Sequence, residues 1–234
     1  MYPILFEIGS LSIRSYGVLV AAGFAIGFSL LYIEAKRKNF YPEKILDLEF
    51  LILLSGVIGA RLLHVFVNLN YYTSNPLEML FLWRGGLAIY GGIIFAIAAS
   101  WIFIARKGMP LWKTADFIIP YVALGQAIGR IGCWFNGCCY GKPINALLNH
   151  PTQLYASFAL IVIFIILKLA AKKSYFSGFV FMLYLVLYSG QRFFIDFLRD
   201  DTPRYYLNLT VSQFISIAVL VFAFGFYITR QKNK

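Results

Sequence analysis

The sequence predicts an all-α integral membrane protein of seven transmembrane helices, with the N-terminus outside and the C-terminus in the cytoplasm. Three observations carry that expectation. Only 13% of the 234 residues are charged and mean hydropathy is +0.73, whereas soluble domains carry roughly 25% charged residues. Seven apolar runs approach or reach the length that crosses a bilayer, about 17–25 residues. The basic residues between the runs gather on alternate loops, the signature of cytoplasmic connections.

In chain order the runs are Tyr16–Tyr32, Leu51–Phe66, Gly85–Ala105, Phe117–Phe135, Pro151–Leu167, Ser174–Gln191 and Tyr205–Thr229. The first carries Gly23 and Gly27, a GxxxG spacing that lets helix backbones approach closely. The second contains Arg61. The third is uncharged and opens on "RGGLAIYGG". The fourth contains Arg130 and runs into "GRIGCWFNGCCYG", and the glycines of both stretches argue against regular helix there. Pro151 opens the fifth, Arg192 closes the sixth, and the seventh carries no charge before Arg204 or Arg230. Pro76, Pro143 and Pro151 punctuate the loops that precede the third and fifth runs. Seven spans in so short a chain leave one polytopic domain over residues 1–234. With no Lys or Arg among the first thirteen residues, no signal peptide is expected ahead of them.

Net charge is +11, but its placement argues for membrane topology and against nucleic acid as a partner. Thirteen basic residues fall on one side: Lys36, Arg37, Lys38 and Lys44; Arg106, Lys107 and Lys113; Lys168, Lys172 and Lys173; Arg230, Lys232 and Lys234. Five fall on the other: Arg14, Arg84, Lys142, Arg199 and Arg204. The crowded side is cytoplasmic.

Three arginines lie inside the runs, where a charge costs about 2.5–3.5 kcal/mol on insertion scales. Arg61, Arg130 and Arg192 each fall late in an outward-running span, and so in the outer third of the membrane. Tyr16, Tyr90 and His150 stand at the beginnings of inward-running spans, at the same level. One arginine near a helix end needs no reason beyond reaching the headgroups; three at one depth, beside glycine-rich backbone, suit a polar cavity facing the outer leaflet. Asp196 follows Arg192 by four residues, so the two share a helix face and pair. Guanidinium groups round such a cavity match the oxygens of an anionic lipid phosphate.

All three cysteines, Cys133, Cys138 and Cys139, lie within that fourth motif. Their spacing with His150 does not give four zinc ligands at recognisable intervals, so no metal is expected. A Cys133–Cys138 disulfide suits the outer, oxidising face, a thiol activated by Arg130 is a second reading, and small apolar packing residues a third.

The motifs "SLSIRSYG", "GARLLHVF", "WRGGLAIYGGIIFA", "GRIGCWFNGCCYGKP", "HPTQLYA" and "GQRFFIDFLRDD" stand in the order found in the prolipoprotein diacylglyceryl transferases, and the chain resembles that family from Ile8 to its last span. The resemblance implies a multi-pass enzyme of the bacterial cytoplasmic membrane, working towards the outer leaflet. Its reaction would move the diacylglyceryl group of phosphatidylglycerol onto the lipobox cysteine beside a preprolipoprotein's signal peptide, with no cofactor. Carried over position by position, Arg130, Tyr16, Arg192, Asp196, Gly141 and His150 match the family's motifs, while Tyr90 and Arg61 are added from their level in the membrane; Tyr16, Tyr90, Arg192 and Asp196 are the candidate catalytic residues. Arg130, Arg61, Gly141 and His150 are the candidate lipid-binding residues. The commonest family pattern has Asn at Cys133, Glu at Cys138, Glu at Asp196 and often His at Tyr90. Two other readings stay open from the residues: a small lipid or solute transporter, and an enzyme that uses one of its own cysteines as nucleophile.

Overall fold

The computed structural model of the protein describes residues 4–8, 11–81, 85–145, 148–173 and 176–232. Arg84 and Lys234 of the charge pattern, and Ser174 at the start of the sixth run, lie outside them. Each apolar run falls on one helix. Helices α1 (Ser15–Arg37), α2 (Pro42–Val67), α4 (Ile89–Arg106), α5 (Leu111–Asn136), α6 (Thr152–Ala170) and α7 (Phe179–Leu198) are long and apolar enough to cross a membrane. Helix α8 (Val211–Lys232) has a shorter apolar stretch, Val211–Phe226. Between α2 and α4 lie the short helix α3 (Leu69–Ser74) and a 3-10 turn at Pro76–Leu80.

The all-α expectation misses one feature. Strands β1 (Ile4–Ile8) and β2 (Leu11–Arg14) pair antiparallel ahead of α1. The signal was present, since Gly9-Ser10 between two apolar runs is hairpin-turn chemistry.

Helix ends also move from their predicted places, for identifiable reasons. Gly85 and Gly86 sit at φ 86° and 77°, which no helix accepts, so α4 waits until Ile89. Gly178, at φ 98°, likewise delays α7, which then runs past Gln191 to Leu198 and takes Arg192 and Asp196 into regular helix. Gly129 and Gly132 of the fourth motif, expected to break helix, do not: α5 continues past them to Asn136, where Gly137 stops it. Inside the helix they shorten the distance between backbones. A Cβ on Gly132 would lie 3.2 Å from Leu19 Cβ and 3.4 Å from Tyr16 O, so the glycine lets α5 lie against the start of α1.

The chain forms two compact units. In the unit Met1–Leu31 with Ala115–Lys234, the core joins Ile119, Ala123 and Ala127 of α5 to Leu160, Ile163 and Leu167 of α6 and to Val180 and Tyr184 of α7. Helix α1 crosses α5 at its GxxxG pair, where a Cβ on Gly23 would stand 2.8 Å from Gly125 O. The start of α7 is capped from another helix, because Asp116 accepts from Gly178 N at 2.6 Å and Phe181 N at 2.8 Å. Those amides have no partner within α7, and a cap of this kind contributes about 1 kcal/mol. In the unit Tyr32–Thr114, α2 packs on α4 through facing glycines; a Cβ on Gly92 would stand 3.0 Å from Gly56 O. The amide of Ala88 bonds Ala60 O at 3.0 Å and fixes the entry to α4.

Candidate functional site

The three span arginines occupy the same place in their helices. Val67 ends α2 six residues after Arg61, Asn136 ends α5 six after Arg130, and Leu198 ends α7 six after Arg192. Their surroundings differ completely. In the second unit Arg61 is buried, and its guanidinium is spent on backbone. Nε bonds Met79 O at 3.0 Å, Nη1 bonds Gly85 O at 2.6 Å and Gly86 O at 3.0 Å, and Nη2 bonds Glu78 O at 2.5 Å and Phe81 O at 3.3 Å. Five bonds equal the number of N–H groups a guanidinium has. No donor is left for a ligand, and Arg61 organises the loop ahead of α4 instead. Tyr90, the second residue of α4, is exposed in that same unit.

In the first unit Arg192 and Asp196 pair as their spacing predicts, Nη2 to Oδ1 at 3.2 Å. Asp196 is fully buried and takes a hydroxyl from Thr210 on Oδ2 at 2.6 Å, while Arg192 also donates to Ser212 Oγ at 2.9 Å. Arg199, counted by sequence as a loop charge, is instead buried. It grips Asp201 through two bonds of 2.8 Å and stands 3.8 Å from Asp196. Burial alone would raise the Asp201 carboxyl, but the hydrogen bonds and charge of Arg199 outweigh it and hold the group below its ordinary value. Thr210 and Gln213 form a reciprocal cap at the start of α8: Thr210 N bonds Gln213 Oε1 at 2.9 Å and Gln213 N bonds Thr210 Oγ1 at 3.2 Å. The run "TVSQ" is that motif in sequence, and it is why α8 starts at Val211 and not near Tyr205. Thr210, Ser212 and Arg199 are site residues that the sequence reading passed over.

Arg130 stands apart. It is half-buried, and among the described residues it has neither a hydrogen bond nor an ion pair. Its charge acts on Arg192, on the Tyr16 hydroxyl and on Cys133 and Cys139. With Arg192 and Arg199 it makes three guanidinium charges, of which the carboxylates of Asp196 and Asp201 meet those of Arg192 and Arg199. A guanidinium of this kind suits an anion, and among the described residues Arg130 is the member of the three with its donors free.

The loop after α5 has its own fixed geometry. Gly137 at φ 73° ends the helix, its amide bonding Trp134 O at 3.2 Å while Cys138 N bonds Cys133 O at 3.3 Å. These are the two bonds of a Schellman C-cap, which folds Cys138 back onto Cys133. Cys139 adopts φ 62°, uncommon for a side-chain-bearing residue. Its carbonyl is clamped by Thr152 Oγ1 and that of Cys138 by Gln153 Nε2, both at 2.6 Å. All three cysteines are free thiols, and their sulfurs lie within 4.8 Å of one another. The hydrogen bond from Cys133 is the main reason the Cys139 thiol falls to about 5, with Arg199 and Arg130 adding to it against the effect of burial.

Gly141 and His150 belong to the same loop but serve its backbone. Gly141 N bonds His150 O at 3.0 Å, His150 N bonds Lys142 O at 3.0 Å, and Lys142 N bonds Leu198 O at 2.7 Å. A Cβ on Gly141 would stand 2.6 Å from His150 Cβ and 2.7 Å from Leu198 O. Only glycine lets the three segments meet. The His150 ring packs edge-on against Tyr155, and its buried Nδ1 has no hydrogen-bond partner. Of the eight candidates, Tyr16, Arg130, Gly141, His150, Arg192 and Asp196 therefore share one unit, and Arg61 and Tyr90 share the other.

The chain matches the sequence model of the prolipoprotein diacylglyceryl transferase family over residues 3–229. It is 32% identical over 250 residues to the phosphatidylglycerol–prolipoprotein diacylglyceryl transferase of Clostridium tetani, with 100% of each chain covered. It is 36% identical over 224 residues to the enzyme of that name from Trichormus variabilis, covering 86% of this chain and 79% of the relative. The Finegoldia magna enzyme of the same name is 36% identical over 230 residues, covering 94% and 92%.

Proposed function

The chain belongs to the prolipoprotein diacylglyceryl transferase family, and from that premise we propose that it transfers the diacylglyceryl group of phosphatidylglycerol to the lipobox cysteine of a preprolipoprotein. This is the first step of bacterial lipoprotein maturation. The protein sits in the bacterial inner membrane as a single domain of seven spans, α8 supplying the seventh. The thirteen-to-five division of basic charge turns its N-terminus outward and brings the helix ends that carry the arginines to the outer leaflet.

The observation that carries the mechanism is the uncommitted guanidinium of Arg130, beside two arginines whose own charges are met by Asp196 and Asp201. Arg130 binds the lipid phosphate, and its planar fork fits two phosphate oxygens at once. The substrate thiol loses its proton, and its sulfur forms a bond to the C3 carbon of the diacylglyceryl group. The bond from that carbon to the phosphate oxygen breaks, and the electron pair leaves on glycerol phosphate. Arg130 stabilises the charge that grows on that oxygen, which is worth most in a water-poor site. We assign the Tyr16 hydroxyl, in electrostatic reach of Arg130, to relaying the thiol proton: it takes that proton as its own O–H proton passes to the departing glycerol phosphate oxygen. Arg192, held by Asp196 and Ser212, adds positive charge and is oriented by them. The nucleophile belongs to the substrate, so no cysteine of the enzyme reacts.

The test is a reaction of purified full-length protein in detergent with phosphatidylglycerol and a lipobox peptide. A diacylglyceryl mass on the peptide cysteine, with glycerol phosphate released in equal amount, is the expected result. Active, monodisperse protein that moves lipid between leaflets without forming the thioether would replace this reading with the transporter.

A further inference from the structure

We propose that Cys133, Cys138 and Cys139 form a binding site for one thiophilic metal ion, held by three thiolates. The proposal stands apart from the reaction assigned to Arg130 and uses none of its steps. Its basis is geometric. The three Sγ atoms lie within 4.8 Å of one another. Around an ion with metal–sulfur bonds of about 2.3 Å, three sulfurs stand roughly 3.8–4.0 Å apart. Side-chain rotation of under about 1 Å closes the site. A disulfide would need a separation of about 2.05 Å and would employ only two of the three sulfurs. Convergence of all three is the feature a disulfide leaves unexplained.

The convergence is built into the backbone. The Schellman cap turns Cys138 over Cys133, and the left-handed Cys139 brings in the third sulfur. A side-chain-bearing residue takes such a conformation only where its surroundings hold it there. Thr152 and Gln153, 2% and 1% exposed, hold the two carbonyls of that turn. Supporting hydrogen bonds from buried side chains of this kind keep metal ligands in position.

Chemistry and charge agree with the geometry. An all-sulfur donor set selects soft d10 ions, Cu(I) or Zn(II), over hard ones. Each thiol gives up its proton as its sulfur binds. The filled site carries a net charge of −2 with a monovalent ion and −1 with a divalent one, and the Arg130 and Arg199 guanidinium groups act on it directly. Cys138 and Cys139 are only partly buried, which leaves an ion a route in. The spacing rules missed the site because they look for ligand pairs separated along the chain and for a fourth ligand. Here one helix cap gathers all three.

The experiment uses full-length protein in detergent, reduced and freed of reductant without oxygen, and Cd(II) as the probe. Thiolate-to-metal charge-transfer absorption should saturate at one Cd(II) per chain and be reversed by Zn(II). Bound Cd(II) should protect all three cysteines from N-ethylmaleimide, counted by mass spectrometry. Cys133→Ser, Cys138→Ser and Cys139→Ser should each weaken binding by on the order of 10–100-fold or more. Serine differs by one atom, and helical circular dichroism with monodisperse elution identifies the folded variants. Uptake of Cd(II) that leaves the thiols reactive, or affinity unchanged in any folded single variant, overturns the three-thiolate site. So does reduced, folded protein that takes up no Cd(II).

Discussion

Thr210 donates its hydroxyl to the Oδ2 of Asp196 at 2.6 Å, and the same hydroxyl oxygen accepts the amide of Gln213 at 3.2 Å. One side chain thus caps α8, satisfies one oxygen of a fully buried carboxylate on α7 and holds the carboxylate that pairs with Arg192. A buried acceptor without its donor costs about 1–3 kcal/mol. Thr210→Val should lower stability by that order, seen as an earlier thermal unfolding midpoint in detergent. Thr210→Ser keeps the oxygen and should remain close to the parent. An unchanged midpoint for the valine variant would show that the bond contributes nothing.

Arg130 and Arg61 should respond in opposite ways. Arg130 holds no protein group among the described residues, so Arg130→Ala should fold normally and lose turnover by on the order of 10²–10³, the scale of removing one donor from an oxyanion site. Arg130→Lys keeps the charge, loses the fork, and should recover little of it. Arg61→Ala frees five carbonyls between Glu78 and Gly86. It should reduce the yield of folded protein and expose that loop to protease, with turnover per folded molecule much less affected. Near-normal lipidation by folded Arg130→Ala protein would remove the phosphate-binding role.

Gly141→Ala should be costly although the change is one methyl group. The new Cβ meets His150 Cβ at 2.6 Å and Leu198 O at 2.7 Å, and neither is the end of a flexible side chain. Overpacking of this kind destabilises by about 1–3 kcal/mol. Hydrogen exchange at Lys142 N and His150 N would locate the damage, because both amides belong to the pairing that would have to open.

Asp201 gives a pH test with a definite sign. Arg199 lowers its carboxyl below the ordinary value of 3.8 in the folded protein. A group lowered on folding stabilises at pH above its unfolded value and loses that contribution as pH falls through the folded one. Melting temperatures taken downward from about pH 5 should therefore fall more steeply for the parent than for Asp201→Asn. Parallel slopes would show that the Arg199–Asp201 pair adds nothing to stability, as exposed pairs often do not.

Much of the architecture was legible along the chain because its causes are local. Apolar length marks every long helix, and uneven basic charge marks the loops. Arg192 and Asp196 pair because four residues bring them to one helix face. The Asn136-Gly137 stop and the "TVSQ" cap could also have been read, and with them the turn of Cys138 towards Cys133 and the start of α8 at Val211. Gly132 and Gly141 misled when taken as helix breakers or ligand contacts, since a glycine that admits a neighbouring backbone looks the same in sequence as one that ends a helix.

What the sequence by itself determined is thus the set of long helices, the six ordered motifs and the presence of three arginines late in their spans. Tertiary structure alone decided what those arginines do. Arg61 meets carbonyls 17 to 25 residues further along the chain, Arg199 turns inward to Asp201, and Arg130 meets no protein acceptor among the described residues. The physical reason is that a guanidinium has the same charge and five donors wherever it stands. Which acceptors reach those donors depends on segments distant in sequence, and only the folded chain brings them within 3 Å or leaves them away.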